Sequence, residues 1–300
     1  MIDDADVSDR ARTLASLLEP VVAQVYFSPE CHQSYVELGF RPSVAKAGEV
    51  ALPDGSAYFT SRGSVMGQVA AEVVVAAAFA VYDPDVVVRS VTLGWRCTDA
   101  ATICDARDRG VIAQLTRILD PRPHGAGRAA ELLRRVVGPL RLEGRPLYAG
   151  VRSLGIPDDP LAAVWRCGDM LREFRGDSRT AAWHAAGLDA PEICLLSELH
   201  LGSPARSHSR SRGWSHDRLD TAAATLEARG WITHAGITYE GRAAREAIEI
   251  ATDRQMRTAI DALGDDLDEL AAILAPWGAA IIAGAGYVRF RELPSSQAPT

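Results

Sequence analysis

Residues 203–249 read SPARSHSRSRGWSHDRLDTAAATLEARGWITHAGITYEGRAAREAIE, and this stretch decides the fold. Residues 204–212 suit a short helix, followed by a turn at Gly213. Ser215 is placed to cap the next helix, in which Leu219, Ala222, Ala223 and Leu226 fall at i, i+3, i+4 and i+7. Gly230 can end that helix in the left-handed conformation. Residues 231–239 are short, β-branched and aromatic around Gly236, which suits a two-stranded wing. Helical spacing then returns, with Ala244, Ala247, Ile248 and Ala251 on one face. Upstream, residues 191–201 read as a further helix. Helix, helix, turn, helix, hairpin, helix is the order of a winged helix-turn-helix.

Ahead of this module the pattern is helical throughout. Residues 7–26 carry Leu14, Leu17, Leu18, Val21 and Val25 at helical spacing, and Ser28, Pro29 and Glu30 open a second helix that Gly39 can stop. Residues 69–82 read as a buried helix ended by Asp83 and Pro84. Further helices are predicted over 84–96, 99–119, 128–137, 144–155, 160–175 and 178–186, with Gly176 and Asp177 turning the chain between the last two. The expected fold class is mainly α: a helical N-terminal domain plus a C-terminal winged helix-turn-helix with a small β wing. The expected domains are a helical ligand or scaffold domain over 1–188, a winged helix-turn-helix with C-terminal helices over 189–293, and a frayed tail over 294–300.

The chain has 300 residues, 47% apolar and 24% charged, which are values of a folded protein. A net charge of −7 excludes a basic field over the whole surface. Among 32 basic residues only Lys46 is a lysine. The start, MIDDADVSDRAR, has no basic and apolar targeting pattern, and the run 69–82 contains Glu72 and is too short to span a bilayer. A cytoplasmic protein without a membrane partner is therefore expected. Five cysteines with no CxxC read as small buried residues rather than a zinc site or a disulfide framework. The sharper alternative is an activated thiol at Cys31 beside His32, although neighbours on a helix point about 100° apart. With scattered histidines, no HExxH, no glycine-rich phosphate loop and no GxSxG, no metal or cofactor is expected.

The phrase LEARGWI…ITYEGRAAREAIE resembles MarR-type winged-helix regulators, through Glu227, Ala228, Arg229 and Gly230, then Thr238, Gly241 and Arg242. A longer resemblance is to an actinobacterial helix-turn-helix family with a helical N-terminal half. It is carried by YFSPECHQSYVELG, YFTSRGSVMG, MLREFRGDSRTAAWHAAGL, RGWS and ATDR, spread over most of the chain. That family is named for its fold, so the resemblance implies an architecture and no activity. Its third phrase more often reads R-E-H-R-G-D-x-H, and this chain has Phe174 and Arg179 where the resemblance implies histidines.

Two groups of candidate residues follow. Residues 201–234 hold five arginines against three carboxylates, and Arg206, Arg210, Arg212, Ser215, His216 and Arg218 are the candidates for DNA. Asp217 and Asp220 on the same helix, and a wing without Arg or Lys, argue against it. In the helical half, Arg172, Glu173 and Arg175 with His184 could fork an anion and handle a proton, or simply form interhelical salt bridges. Arg62 and Tyr58, near Ser61 and Ser64 at the apparent start of a helix, could add an anion site and an apolar wall; ordinary capping is the alternative. The leading expectation is a ligand-responsive, DNA-binding regulator that senses a small molecule in its helical half. It would act as a homodimer joined through the stripe Leu267, Leu270, Ala271 and Leu274, unless that stripe is internal core. The alternatives are a cofactor-independent enzyme for a small anionic or aromatic metabolite, with its pocket between the halves, or a protein-interaction module.

Overall fold

A computed structural model describes residues 3–288. One helix organises it. Asp159 caps this helix by accepting the Ala162 N–H at 2.9 Å, Pro160 opens it, and it runs unbroken over Pro160–Ala185. Sixteen of its 26 residues are buried, too many for a surface helix with one apolar stripe. The predicted turn at Gly176 and Asp177 is absent, and residues 160–175 and 178–186 form one rod. Asp177 does cap a helix, but a neighbouring one: its carboxylate accepts the Tyr148 N–H at 3.0 Å in the first turn of Pro146–Ser153, whose own cap position is Arg145.

In chain order the body comprises α1 (Asp4–Ala23), α2 (Pro29–Glu37), a hairpin of β1 (Lys46–Ala47) and β2 (Val50–Ala51), α3 (Gly55–Gly63), α4 (Ala71–Ala78), α5 (Pro84–Cys97), α6 (Ala100–Leu119), α7 (Ala126–Val137), α8 (Pro146–Ser153) and the long α9. Ser28, Asp83 and Asp99 cap α2, α5 and α6, the serine as sequence alone predicts. The helix read over 69–82 is shorter and only half buried: α4 buries Val74 and exposes Val73.

The module follows as α10 (Ala190–His200), α11 (Ser207–Ser211), α12 (His216–Ala228), β3 (Ile232–Thr233), β4 (Gly236–Ile237) and α13 (Tyr239–Arg254), in the predicted order. The wing pairs antiparallel, Ile232 opposite Ile237. Ser215 caps α12 through the Arg218 N–H at 3.3 Å. Buried Glu198 of α10 accepts the N–H groups of Arg206 (2.7 Å) and Ser209, so α10 caps α11. Of the predicted α13 face only Ile248 is buried, and Ala247 is exposed. The helix instead turns charges inward. Buried Asp253 accepts from Arg12 of α1 and Arg175 of α9, both at 2.7 Å, and Glu249 pairs with Arg175 and Arg245.

Two hydrophobic cores result, and α9 threads both. Ala182 and Trp183 pack with Leu188, Ile193, Leu196, Trp214, Leu219, Leu226, Ile232 and Ile248. The last helices, α14 (Arg257–Leu263) and α15 (Leu267–Ala283), return to the body core. Leu267, Leu270 and Leu274 are buried there, so the stripe expected at a dimer interface is internal. The frayed tail read at 294–300 lies outside the described residues.

The module docks on the segment between α4 and α5. Asp83 N–H donates to the Arg212 carbonyl at 2.9 Å, and the Trp214 indole N–H to the Val81 carbonyl at 3.0 Å. Between them Gly213 sits at φ +89°, where a Cβ would lie 2.7 Å from Val86. Gly213→Ala is expected to cost about 1–3 kcal/mol through strain and overpacking. Urea unfolding checks this; an unchanged midpoint would mean that the docking loop yields freely.

Candidate functional site

On α9, residues 172, 175, 179 and 183 recur at helical spacing and share one face. That face forms one wall of a cavity of about 380 Å³. Arg172, Arg175, Arg179 and Trp183 line it from α9; Tyr58 and Arg62 face it from α3, Tyr82 from the α4–α5 segment, and Arg212 from the module. The volume is within the range of small-molecule pockets, about 300–1,000 Å³. Five of the lining residues are arginines, against Glu19, Glu173 and Asp177.

Most of that charge is internally spent. Glu173, a buried residue of the cavity wall, pairs with Arg62 at 2.7 Å and Arg172 at 3.1 Å. Burial alone would raise its carboxyl, but the two guanidinium groups outweigh burial and hold it below the usual range. Arg62 also donates to the Ala78 carbonyl at 2.7 Å, and Arg172 pairs with Glu19 at 3.0 Å. Arg175 is committed to Asp253 and Glu249. Arg179 differs. Among the described residues it reaches only Ser197 Oγ, at 3.4 Å, and its Nε has no hydrogen-bond partner. Asp177 is buried as well, and desolvation with repulsion from Glu173 pushes its carboxyl up to about 6.

Aromatic rings line the remaining wall. Tyr58 meets Tyr26 and Phe79 edge to face, with centroids 5.1 and 5.3 Å apart. The Arg212 guanidinium lies over the Tyr82 ring, 4.4 Å from its centroid.

The structure thus gathers Tyr58, Arg62, Arg172, Glu173 and Arg175 in one place. His184 is not among them. It is exposed, stacked on the outer face of Trp183 with centroids 3.7 Å apart. Arg62 does not stand at a helix start either; it is in the last turn of α3, where Ser61 and Ser64 bond to the carbonyls of Tyr58 and Ser61. Cys31 is no activated thiol: burial pushes it up to about 12, and His32 turns away to the Tyr26 carbonyl at 2.9 Å. Sequence reasoning passed over Tyr82 and Arg179 as cavity residues, although the spacing of 172, 175, 179 and 183 carried the signal for Arg179.

The residues read for DNA divide. Arg210, Ser215, His216 and Arg218 are exposed around the start of α12, with Arg210 against the His216 ring. The Ser215 hydroxyl is occupied by its cap. Arg206 is partly neutralised by Asp220 at 2.6 Å. Arg212 is placed differently: it faces the cavity, where the Asp83 hydrogen bond to its carbonyl and the Tyr82 ring hold it. The wing tip exposes Thr233, His234 and Ala235 and no cation. Among the described residues no group of three or more His, Cys, Asp or Glu could hold a metal ion, and no helix is long and apolar enough to cross a membrane.

Asp177 gives a pH test. Its folded pKa, about 6, is above the unfolded value of about 3.9, so the folded state binds the proton more tightly and this residue's contribution falls as pH rises through that window. Asp177→Asn should therefore gain stability relative to the parent between about pH 4 and 6 and show a constant difference above it. Paired urea titrations check this; parallel curves across that window would refute it.

The sequence matches, over residues 11–288, the family described as Helix-turn-helix family. No curated protein and no solved structure matches it.

Proposed function

The chain belongs to this helix-turn-helix family, and we propose that it is a DNA-binding regulator whose DNA affinity answers to a small molecule in the cavity. The observation that carries this reading is the position of one short segment, residues 210–218. Its Arg210, His216 and Arg218 face solvent at the start of α12, while Arg212 between them lines the cavity. Arginines beside a recognition-helix N-terminus can bind phosphates, and the helix end adds free N–H groups. A ligand that touches Arg212 and α9 together would favour one placement of α12 over another, which is what a ligand-dependent equilibrium requires. The likeness of 227–242 to MarR-type regulators supports the same reading. Action in the cytoplasm as a homodimer belongs to it as well, through a surface other than the internal stripe at 267–274.

The test is binding to sheared genomic DNA at rising salt. The parent is expected to bind at low salt and to lose affinity steeply as salt rises; Arg210→Glu with Arg218→Glu should lower affinity at least tenfold. Binding that neither salt nor the double variant changes would sink the reading.

One observation favours a second reading. Asp177 lines the cavity with its carboxyl near 6, the range of a general acid or base at neutral pH. A cofactor-independent enzyme for a small anionic or aromatic metabolite, with the winged helix as scaffold, would use it so. Turnover of a metabolite extract that Asp177→Asn abolishes would favour the enzyme; equal turnover in both would discard it.

A further inference from the structure

Of the five arginines around the cavity, three are saturated by carboxylates. Arg62 and Arg172 share Glu173, and Arg175 holds Asp253 and Glu249. Arg179 has no such partner: among the described residues no carboxylate lies within ion-pairing distance of it, and its one hydrogen bond is the 3.4 Å contact to Ser197 Oγ. Its neighbour on that hydroxyl is another cation, Arg245, at 3.1 Å. Burial and the like charge of Arg245 bring the Arg179 guanidinium down to about 10, although Glu249 pulls the other way. A partly buried cation without a paired carboxylate is costly.

We propose that Arg179 is the seat of the anionic group of a small organic anion, whose flat apolar part lies against Tyr58 and Tyr82. This deepens the reading of the cavity as a ligand site and rests on it. The guanidinium supplies a planar fork that matches a carboxylate or a phosphate. The two tyrosines supply faces and edges for a ring. A cavity of about 150 Å³ holds a benzene ring, so about 380 Å³ admits one substituted ring with its charged group. An anion there would lie between Arg179 on α9 and the segment that carries Arg212, which links the seat to the start of α12.

The experiment is thermal unfolding of the full chain in low-salt buffer. The additives are benzoate, inorganic phosphate or benzyl alcohol, with sodium chloride at matched ionic strength as reference. Benzoate should raise the Tm by about 2–4 °C when well above its Kd, phosphate by less, and benzyl alcohol not at all. Arg179→Gln, which keeps a donor for Ser197, should start with a higher Tm than the parent in anion-free buffer and lose the benzoate response, because it removes an uncompensated charge. Arg179→Lys should keep part of the response, and Arg141→Gln, exposed between α7 and α8 and outside the cavity, should keep all of it. A lower starting Tm with an intact benzoate response in Arg179→Gln would make the arginine a structural cation and overturn the proposal. Equal shifts with benzyl alcohol and benzoate would overturn the anion seat, and equal shifts with phosphate and benzoate would overturn the flat apolar part. None of these readouts involves DNA. A benzoate response without DNA binding would leave the seat standing and remove the regulator, and DNA binding without any anion response would do the reverse.

Discussion

Asp253 is fully buried and receives Arg12 from α1 and Arg175 from α9, so one carboxylate on α13 clamps three helices. Hydrogen bonds of this kind, with both partners charged, are short and directional. Their net contribution to stability is modest, since burying ions costs several kcal/mol per ion before any attraction is gained. What they impose is placement: α13 cannot slide along α9 without leaving a buried charge unpaired. The winged-helix module is therefore fixed to the body by charge on this side and by the Trp214 and Asp83 hydrogen bonds on the other.

That placement explains the chemistry of the cavity. With Arg175 drawn back to Asp253 and Glu249, and Arg62 and Arg172 drawn down to Glu173, three of the cations lining the space are held by the protein itself. Two charged groups that burial disturbs, Asp177 and Arg179, lie less than one helical turn apart on α9. Asp177 serves α8 as a borrowed cap, a duty any hydrogen-bond acceptor could perform, and Arg179 reaches across to Ser197 of α10.

Much of the fold was legible in local signals. Ser215, Gly230 and the β-branched run around Gly236 mark the helix-turn-helix and its wing, because caps and turns are decided within a few residues. The unbroken α9 was not legible. Gly176 and Asp177 read as a turn in sequence, and only a neighbouring helix short of a cap reveals where the aspartate is needed. Direction was hidden for the same reason. Arg206, Arg210 and Arg212 form one basic run in sequence, yet a tertiary hydrogen bond at Asp83 turns the last of them inward. The stripe at Leu267, Leu270 and Leu274 shows the limit of periodicity: it identifies a face that must be covered and says nothing of whether the cover is the same chain. The cluster of Arg172, Glu173 and Arg175 was found because charge density in a helical segment is visible without a structure; the partners of each charge were not.

The cavity draws its walls from residues as far apart as Leu14, Tyr58, Tyr82, Arg179, Arg212 and Met256. No single stretch of chain contains it, and it exists only when every one of those segments has docked. The two halves are consequently poor candidates for modular exchange. A winged helix transplanted from another protein would arrive without the inward arginine and without the glycine that lets its turn approach Val86. Helical body and winged-helix module are here inherited as one cooperative unit, and descent with modification must alter both sides of that boundary together.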